Sequence, residues 1–408
     1  MKNILIIAKM SLFQNENSPN RYYFLKYLEQ KPNIGVLNDV SSNSIIQWIQ
    51  INGKPDIIIY YFLSKGVSLI NIDLPDFLSS KQKYNIPCAM IFEDSHYTEI
   101  VNNLYNKYNF DYFIQLGYNK SVINKLLYYK IPYKLWNQYI DTTKFINHIH
   151  DNTEKKYDFL FYGYTNPKIY PLREKIYKVL KQLQTTHKHI RIKIIEHGSY
   201  KKNILQLPTR ENLSVLLSES RFSFATSSKY DLFIKKYIEI PLSGATVIGN
   251  IPTNYKDLLK NNIITMDIDA SLLKIKQIIL DAYNKKYIYI ERNNNKFSQL
   301  LGAKYNYKRG YMDLNNIVSN ILVYTSRWNT ILNNTLFNPI LNTNPKPVLK
   351  QRKKQEKKPD LKQRNKPVLK QRNKLEKKPV LKQRNKPEKK LNNEYLSYRK
   401  KSVTFGFK

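Results

Sequence analysis

Three stretches of this 408-residue chain place reactive or charged side chains directly after short apolar runs. The first runs Tyr157-Asp158-Phe159-Leu160-Phe161-Tyr162, then Gly163, the polar Tyr164-Thr165-Asn166, and Tyr170-Pro171-Leu172-Arg173. It spells a strand, a glycine turn, a loop and a helix start. Backbone N–H groups at such a turn and helix start can hold a diphosphate, and Arg173 adds positive charge there. An ordinary connection whose glycine only makes the turn has the same spelling. The second stretch, 227–248, carries Lys236 and Glu239 three residues apart in a helical pattern, then Ser243-Gly244 and an apolar run. Glu239 lies among Ile238 and Leu242, and an acid in apolar company requires a partner or a ligand. A carboxylate matches the vicinal diol of a ribose with two hydrogen bonds, and Lys236 reaches a phosphate from the same face. A surface helix with a Lys/Glu (i, i+3) pair is the alternative. The third stretch is Phe92-Glu93-Asp94-Ser95-His96. Asp94 or His96 suits a substrate hydroxyl or the role of base; as plainly, Asp94 or Ser95 caps the next helix.

Other chemistries find little support. The one cysteine, Cys88, sits in the apolar run 86–92, where a buried structural thiol is expected. One cysteine makes neither an intrachain disulfide nor a cysteine-based zinc site. Six histidines are scattered without a His-Glu-x-x-His pattern, and no carboxylate cluster joins His148 and His150, so no metal site is expected. No run approaches the ~20 apolar residues of a membrane span. The apolar N-terminal stretch is too short for a signal peptide and runs into Lys9 without a cleavage site. A cytoplasmic location is expected.

The elements that must position these residues alternate. Strands are expected at 3–8, 34–37, 56–62, 86–92 and 112–115, with helices at 21–30, 44–51, 76–84, 97–108 and 121–129. After a polar boundary at 141–157 the rhythm restarts. Strands follow at 158–162, 190–195, 222–226, 245–248 and 263–266, and helices at 172–183, 211–218, 232–242, 255–260 and 272–283. Two last helices fall at 288–301 and 313–332. Continuous apolar strands between helices make doubly wound parallel sheets. The expected fold is α/β, with two Rossmann-like lobes facing a cleft, at 1–145 and 146–310, followed by a helix at 311–335. Ligands of such sheets lie beyond the carboxyl ends of the strands, which puts the site between the lobes.

From Pro345 the composition changes. Residues 344–408 hold 24 Lys+Arg against 5 Asp+Glu, more than half of the formal net charge of +37. Lys346-Pro347-Val348-Leu349-Lys350-Gln351-Arg352 recurs with small changes at 358–365, 366–373 and 378–385. Each copy is too polar to offset chain entropy, so the tail is expected to be disordered. A Lys/Arg repeat binds polyanions by counterion release, though this one lacks interleaved aromatics to stack bases.

The second half resembles the donor-binding lobe of glycosyltransferases with the glycosyltransferase-B fold, in the glycosyltransferase family 1 and spore-maturation glycosyltransferase-like branch. "YDFLFYGYTNPKIYPLR" is similar to that branch's domain-opening strand, glycine loop and arginine. "KKYIEIPLSGATVIGN" is similar to its basic residue, glutamate, small-residue turn and strand, and "NQYIDTTKF" to its inter-domain segment. The likeness spans 139–266. It implies that Glu239 binds the nucleotide ribose, with Gly163, Tyr164 and Thr165 near the diphosphate and Ser243 and Gly244 beside the donor. Lys236 and Arg173 take the place of the family's Arg and Lys phosphate pair. A second glutamate stands eight residues before the first in many relatives; here that position is Asp231, with a shorter reach toward the donor sugar.

The resemblance further implies a retaining, metal-independent transfer from a nucleotide-sugar, held by the lobe at 146–310, to an acceptor held by the lobe at 1–145, with the helix at 311–335 crossing back to that first lobe. The acceptor could be a glycan, a protein or a lipid, and no cofactor is needed because the nucleotide-sugar is a substrate. The rival reading is a non-catalytic polyanion-binding protein with a degenerate transferase body, favoured by the tail and by Asp231. The Asn-, Ile-, Lys- and Tyr-rich composition with a repeat tail resembles giant-virus proteins, which implies the host cytoplasm or the virion.

Overall fold

Ile4–Ala8 (β1) is apolar at all five positions and buried at all five, as a strand covered on both faces must be. The structure, a computed structural model, describes residues 2–8, 20–38, 42–62, 81, 83–92, 110–149, 153–195 and 210–337. After β1 come α1 (Asn20–Glu29), β2 (Ile34–Leu37), α2 (Ser42–Asn52), β3 (Ile57–Phe62), β4 (Cys88–Phe92), β5 (Tyr112–Leu116), α3 (Lys120–Tyr128) and β6 (Tyr133–Trp136). The six strands form one parallel sheet in the order β2-β1-β3-β4-β5-β6, with Ile4 opposite both Ile34 and Ile57. Alternation splits each strand between two cores. Ile4, Ile6 and Ala8 face Phe24, Leu25 and Leu28 of α1; Leu5 and Ile7 share the opposite core with Ile45, Val122 and Leu126. Cys88 lies in that second core as a buried free thiol, and burial pushes its pKa up.

The second half repeats the plan. It comprises β7 (Tyr157–Tyr162), α4 (Pro171–Thr186), β8 (Ile192–Ile195), α5 (Arg210–Ser218), β9 (Ser220–Ala225), α6 (Lys236–Leu242), β10 (Thr246–Gly249), α7 (Lys256–Leu259), β11 (Ile264–Thr265), α8 (Leu272–Tyr283), α9 (Ile288–Tyr305) and α10 (Tyr307–Phe337). Its five strands are parallel in the order β11-β10-β9-β7-β8. Phe159 and Phe161 of β7 pack on α4 and α8; Leu160 and Tyr162 point the other way, toward α6 and α9. The strand order reverses between β7 and β9.

Both sheets belong to one compact unit, Met1–Asn342. The chain passes to the second sheet after β6 and returns after α9. At the double crossing, Ile140 N–H donates to Tyr305 O at 3.0 Å, and Ile140 bridges Asn306. α10 then packs on the first sheet, where Leu314, Ile317, Val318 and Ile321 enter the β1 core. Tyr139 hydroxyl donates to Asp313 at 2.6 Å, and Trp136 Nε1 donates to Gly310 O at 3.2 Å. Gly310 is what allows this approach, since a Cβ there would stand 2.8 Å from both Phe24 and Tyr139.

The structure departs from the sequence pattern in three places. β6 has no counterpart in the expected strands; it is a four-residue edge with two exposed central positions, too short to show a period. The helix expected over 232–242 begins only at Lys236. Asp231 takes a φ of +60° and donates its N–H to Ser228 O at 2.9 Å, a turn that delays the helix. The final helices are longer than expected, Ile288–Tyr305 and Tyr307–Phe337, because Gly302 and Gly310 are absorbed inside them. The helix expected at 97–108 and the repeat tail lie outside the described residues, as does most of 76–84. No helix among the described residues is long and apolar enough to cross a membrane.

Candidate functional site

β7 ends at Tyr162, and the chain turns at Gly163 with φ +99°, a conformation that costs an L-residue roughly 1–2 kcal/mol. The lack of a side chain matters as much as the turn. A Cβ on Gly163 would stand 2.6 Å from Lys236 Nζ and 3.7 Å from an Arg173 terminal nitrogen. The glycine is thus where two cations from different helices converge.

Arg173 is the third residue of α4, which Pro171 opens. It is only 4% exposed. Its guanidinium donates to Thr226 Oγ1, Thr226 O and Tyr164 O, each at 3.1 Å, and stacks 3.8 Å from the Tyr170 ring centre. It therefore joins the loop after β7 to the end of β9. Burial lowers its pKa, with the tyrosines Tyr170, Tyr237 and Tyr162 acting the other way.

Lys236 opens α6, whose residues from Lys236 to Pro241 are all buried. Its Nζ donates to Tyr162 O and lies 3.7 Å above the Tyr162 ring. Burial, then the Arg173 charge, holds the ammonium pKa well below its ordinary value, against a smaller pull upward from Glu239. Glu239, one turn later and 6% exposed, accepts from the Tyr162 hydroxyl at 3.4 Å. Burial and the Glu239 carboxylate raise the Tyr162 pKa well above the usual phenol. Arg173, Lys236, Glu239 and Gly163 therefore meet at the carboxyl ends of β7 and β9, the point where the strand order reverses and ligands of doubly wound sheets bind.

The other expected residues are spread more widely. Tyr164 and Thr165 follow the glycine and are half-buried, with the Tyr164 carbonyl taken by Arg173. Ser243 and Gly244 stand at the far end of α6, about 10 Å along the axis at 1.5 Å per residue. There Ser243 Oγ meets Ser214 Oγ at 3.1 Å, and Ser214 Oγ donates to Ile146 O. Gly244 (φ +84°) leaves room for Asn147. This end of α6 holds the crossing segment rather than the cation pair. Both carboxylate oxygens of Asp231 accept the Thr253 N–H, at 3.0 and 3.2 Å, so Asp231 caps the short turn Thr253–Tyr255. Asp94 and His96 lie outside the described residues. No group of three metal-ligating side chains occurs among the described residues.

Several participants escaped the sequence reading. Tyr162 looked like one more apolar strand residue, yet its carbonyl, ring and hydroxyl all serve the site. Thr226 reads as an ordinary strand end. Asn250 receives the Ser227 N–H at 2.9 Å and its carbonyl receives the Tyr237 hydroxyl at 2.6 Å, fixing the loop after β9. Lys235 lines a pocket with Arg21, Asn137 and Gln138 between the sheets.

This geometry can be set beside solved structures. A glycosyltransferase from Rickettsia africae superposes with a TM-score of 0.52 over 78% of this chain and 98% of its own, at 11% identity. The fold is shared with that glycosyltransferase. At so low an identity the likeness is one of architecture. Weaker matches are Anabaena HepE in complex with UDP and glucose (TM-score 0.47, 10% identity, 78% of this chain and 100% of that one) and the lipopolysaccharide outer core galactosyltransferase WaaB in its apo form (0.45, 10%, 78% and 99%). No family model matches the sequence, and no curated protein matches it.

Proposed function

We propose that the protein is a glycosyltransferase that binds a nucleotide-sugar donor on its second lobe. The observation that carries this reading is the convergence of two buried cations, Lys236 and Arg173, on the bare Cα of Gly163, with buried Glu239 one turn away. Two like charges in a dry site repel each other and lose hydration; a diphosphate replaces what both have lost. Glu239, held by the Tyr162 hydroxyl, takes the ribose diol. As the glycosidic bond to the diphosphate breaks, negative charge grows on the leaving oxygen, and fixed cations stabilise it most at that moment. Gly163, Tyr164 and Thr165 line the diphosphate, while Asp231 approaches the donor sugar once the Thr253 contact is released. Asp94 and His96 serve the acceptor, a glycan, protein or lipid. The transfer is retaining and metal-independent in this reading, and the basic tail holds a polyanion.

A second reading keeps the fold but not the catalysis: a polyanion-binding protein with a degenerate transferase body. The engagement of Asp231 with Thr253 favours it.

A panel of nucleotide-sugars, assayed by thermal shift and by nucleoside-diphosphate release, decides between them. We expect one donor class to stabilise the protein and to be turned over, with UDP the first probe. Glu239→Ala is expected to abolish the thermal shift. Undiminished affinity in that variant removes Glu239 from the site, and silence with every donor removes the enzyme.

A further inference from the structure

The carboxyl half of α3 puts large apolar side chains where no core receives them. Val122, Ile123 and Leu126 pack inward, but Leu127 and Tyr128 are 60% and 80% exposed. Tyr129 is exposed as well, and so is Leu135 of β6. β6 is the edge of its sheet, and Leu135 shares a strand face with Tyr133, which packs on the α3 core. The patch continues round the edge. Exposed Tyr324 of α10 meets Tyr112 at 5.7 Å between ring centres, and the Tyr112 hydroxyl donates to Tyr133 O at 3.2 Å. A contiguous apolar patch that faces water marks a contact site.

The charge around this patch is positive throughout. Residues 112–140 hold Lys120, Lys125, Lys130 and Lys134 and no Asp or Glu. The acid just before them, Asp111, is already taken by Lys81 at 3.0 Å and by the Cys88 N–H at 2.7 Å. Lys130 follows α3 with a φ of +54°, and the next N–H closes on Leu126 O at 2.8 Å; glycine is the usual residue at such a helix end. Lys134 and Leu135 are the two exposed positions of β6, so ammonium and leucine alternate along the edge.

This mixture fits the interface of a lipid bilayer that carries anionic headgroups. Leucines enter the acyl boundary, and tyrosines sit at headgroup level with the hydroxyl wet. Lysines lay their stems along the apolar surface and put the ammonium among the phosphates. A nucleic-acid backbone would use the lysines but give the exposed leucines nothing. A second copy of this chain paired along β6 would have to bring lysine-bearing edges together, and lysine on a sheet edge guards against that pairing.

We propose that α3 and β6 form a docking surface for an anionic lipid bilayer, on which the first lobe rests without spanning it. The surface does not depend on the donor reading above.

The single cysteine of the chain makes the test specific. Cys88 is buried, so Tyr128→Cys in the full chain offers one accessible thiol for a polarity-sensitive dye. Vesicles of phosphatidylcholine and phosphatidylserine are expected to raise its emission, and nitroxide-labelled lipid is expected to quench it. Vesicles of phosphatidylcholine alone are expected to do neither. Attraction of the basic tail to the same vesicles leaves the dye in water, which separates the two effects. Lys130→Gln together with Lys134→Gln is expected to raise the vesicle concentration at half signal roughly 30-fold, since each lysine near an anionic surface is worth about fivefold. Leu127→Ser together with Leu135→Ser is expected to abolish the quenching at an unchanged melting temperature. A dye that ignores anionic vesicles, or a half-signal concentration unmoved by the lysine changes, overturns the surface. An equal rise with polyuridylate in place of vesicles assigns the patch to nucleic acid, and a rise with protein concentration alone assigns it to a second copy; either overturns the proposal. A protein that docks on vesicles yet ignores every nucleoside diphosphate keeps this surface and loses the donor reading.

Discussion

Lys236 fills the space that a side chain on Gly163 would need, its Nζ only 2.6 Å from where the Cβ would stand. A glycine at the end of one strand and a lysine at the start of a helix 73 positions later therefore form a single feature. Gly163→Ala is expected to destabilise the protein by roughly 1–2 kcal/mol through its φ of +99° alone. It should also displace Lys236 and weaken nucleoside-diphosphate binding. Denaturant unfolding and a UDP thermal shift measure the two effects separately. A variant with unchanged UDP affinity would show that Lys236 does not need this space to bind.

Lys236→Met separates binding from folding. Burial and the neighbouring Arg173 charge both disfavour the Lys236 ammonium and outweigh the pull of Glu239, and an apolar side chain of similar length removes that cost. The melting temperature is expected to hold or rise while diphosphate binding is lost. A large fall in stability with binding intact would make Lys236 a structural residue.

The same lysine makes stability depend on pH. Its folded-state pKa lies well below the ordinary 10.5, so between those two values the unfolded chain binds a proton that the native state does not. Stability then rises with pH across that window, and Lys236→Met is expected to flatten the rise. The window narrows from about pH 9, because burial raises the Cys88 pKa from 9.0 and the Tyr162 pKa well above 10.0, and both work in the opposite direction. Arg173 and Glu239 are the other charges facing the ammonium. A bound diphosphate favours the charged form, so UDP affinity should fall by about one log unit per pH unit once the free-state pKa is passed. Isothermal titration in buffers of different ionisation enthalpy reads the proton taken up; none would count against the coupling.

Asp231→Asn keeps the shape but weakens the cap on Thr253. Loss of a helix-capping group costs about 0.5–2 kcal/mol, and the Asn change is expected at the low end of that range. A transferase that loses turnover far beyond this loss of stability, with UDP affinity intact, would place Asp231 at the donor sugar. Proportionate losses would leave it a cap.

Gly310→Ala tests the return of α10. The new methyl would meet Phe24 and Tyr139 at 2.8 Å, and overpacking a tight contact costs typically about 1–3 kcal/mol. The expected result is a lower denaturation midpoint with UDP affinity little changed, since this contact lies in the first lobe's core.

Much of the molecule is determined by the sequence alone. Runs such as Ile4–Ala8 and Tyr157–Tyr162 are apolar throughout and alternate with helical periods, and only a covered parallel sheet absorbs such strands. That reasoning is local and periodic, so it reached two doubly wound sheets. It also singled out Glu239, because an acid among apolar neighbours stands out in one dimension, and Arg173 and Lys236 by their places at a helix start and one turn before that acid. It was blind where a residue's role depends on a distant partner. β6 is an edge strand too short to carry a period. Gly310 lies before the helix expected at 313–332, and only the approach of Phe24 and Tyr139 gives it a role. Ser243 and Gly244 are close to Glu239 in the chain, but the helix axis carries them to the crossing segment. Lys235 and Lys236 are neighbours in sequence, yet one meets Gly163 in the second lobe and the other lines a pocket with Arg21 of the first. Composition decided which segments would be buried. Only the tertiary structure decided which buried charges would meet, because that depends on how two sheets and their crossing helix bring remote strand ends together.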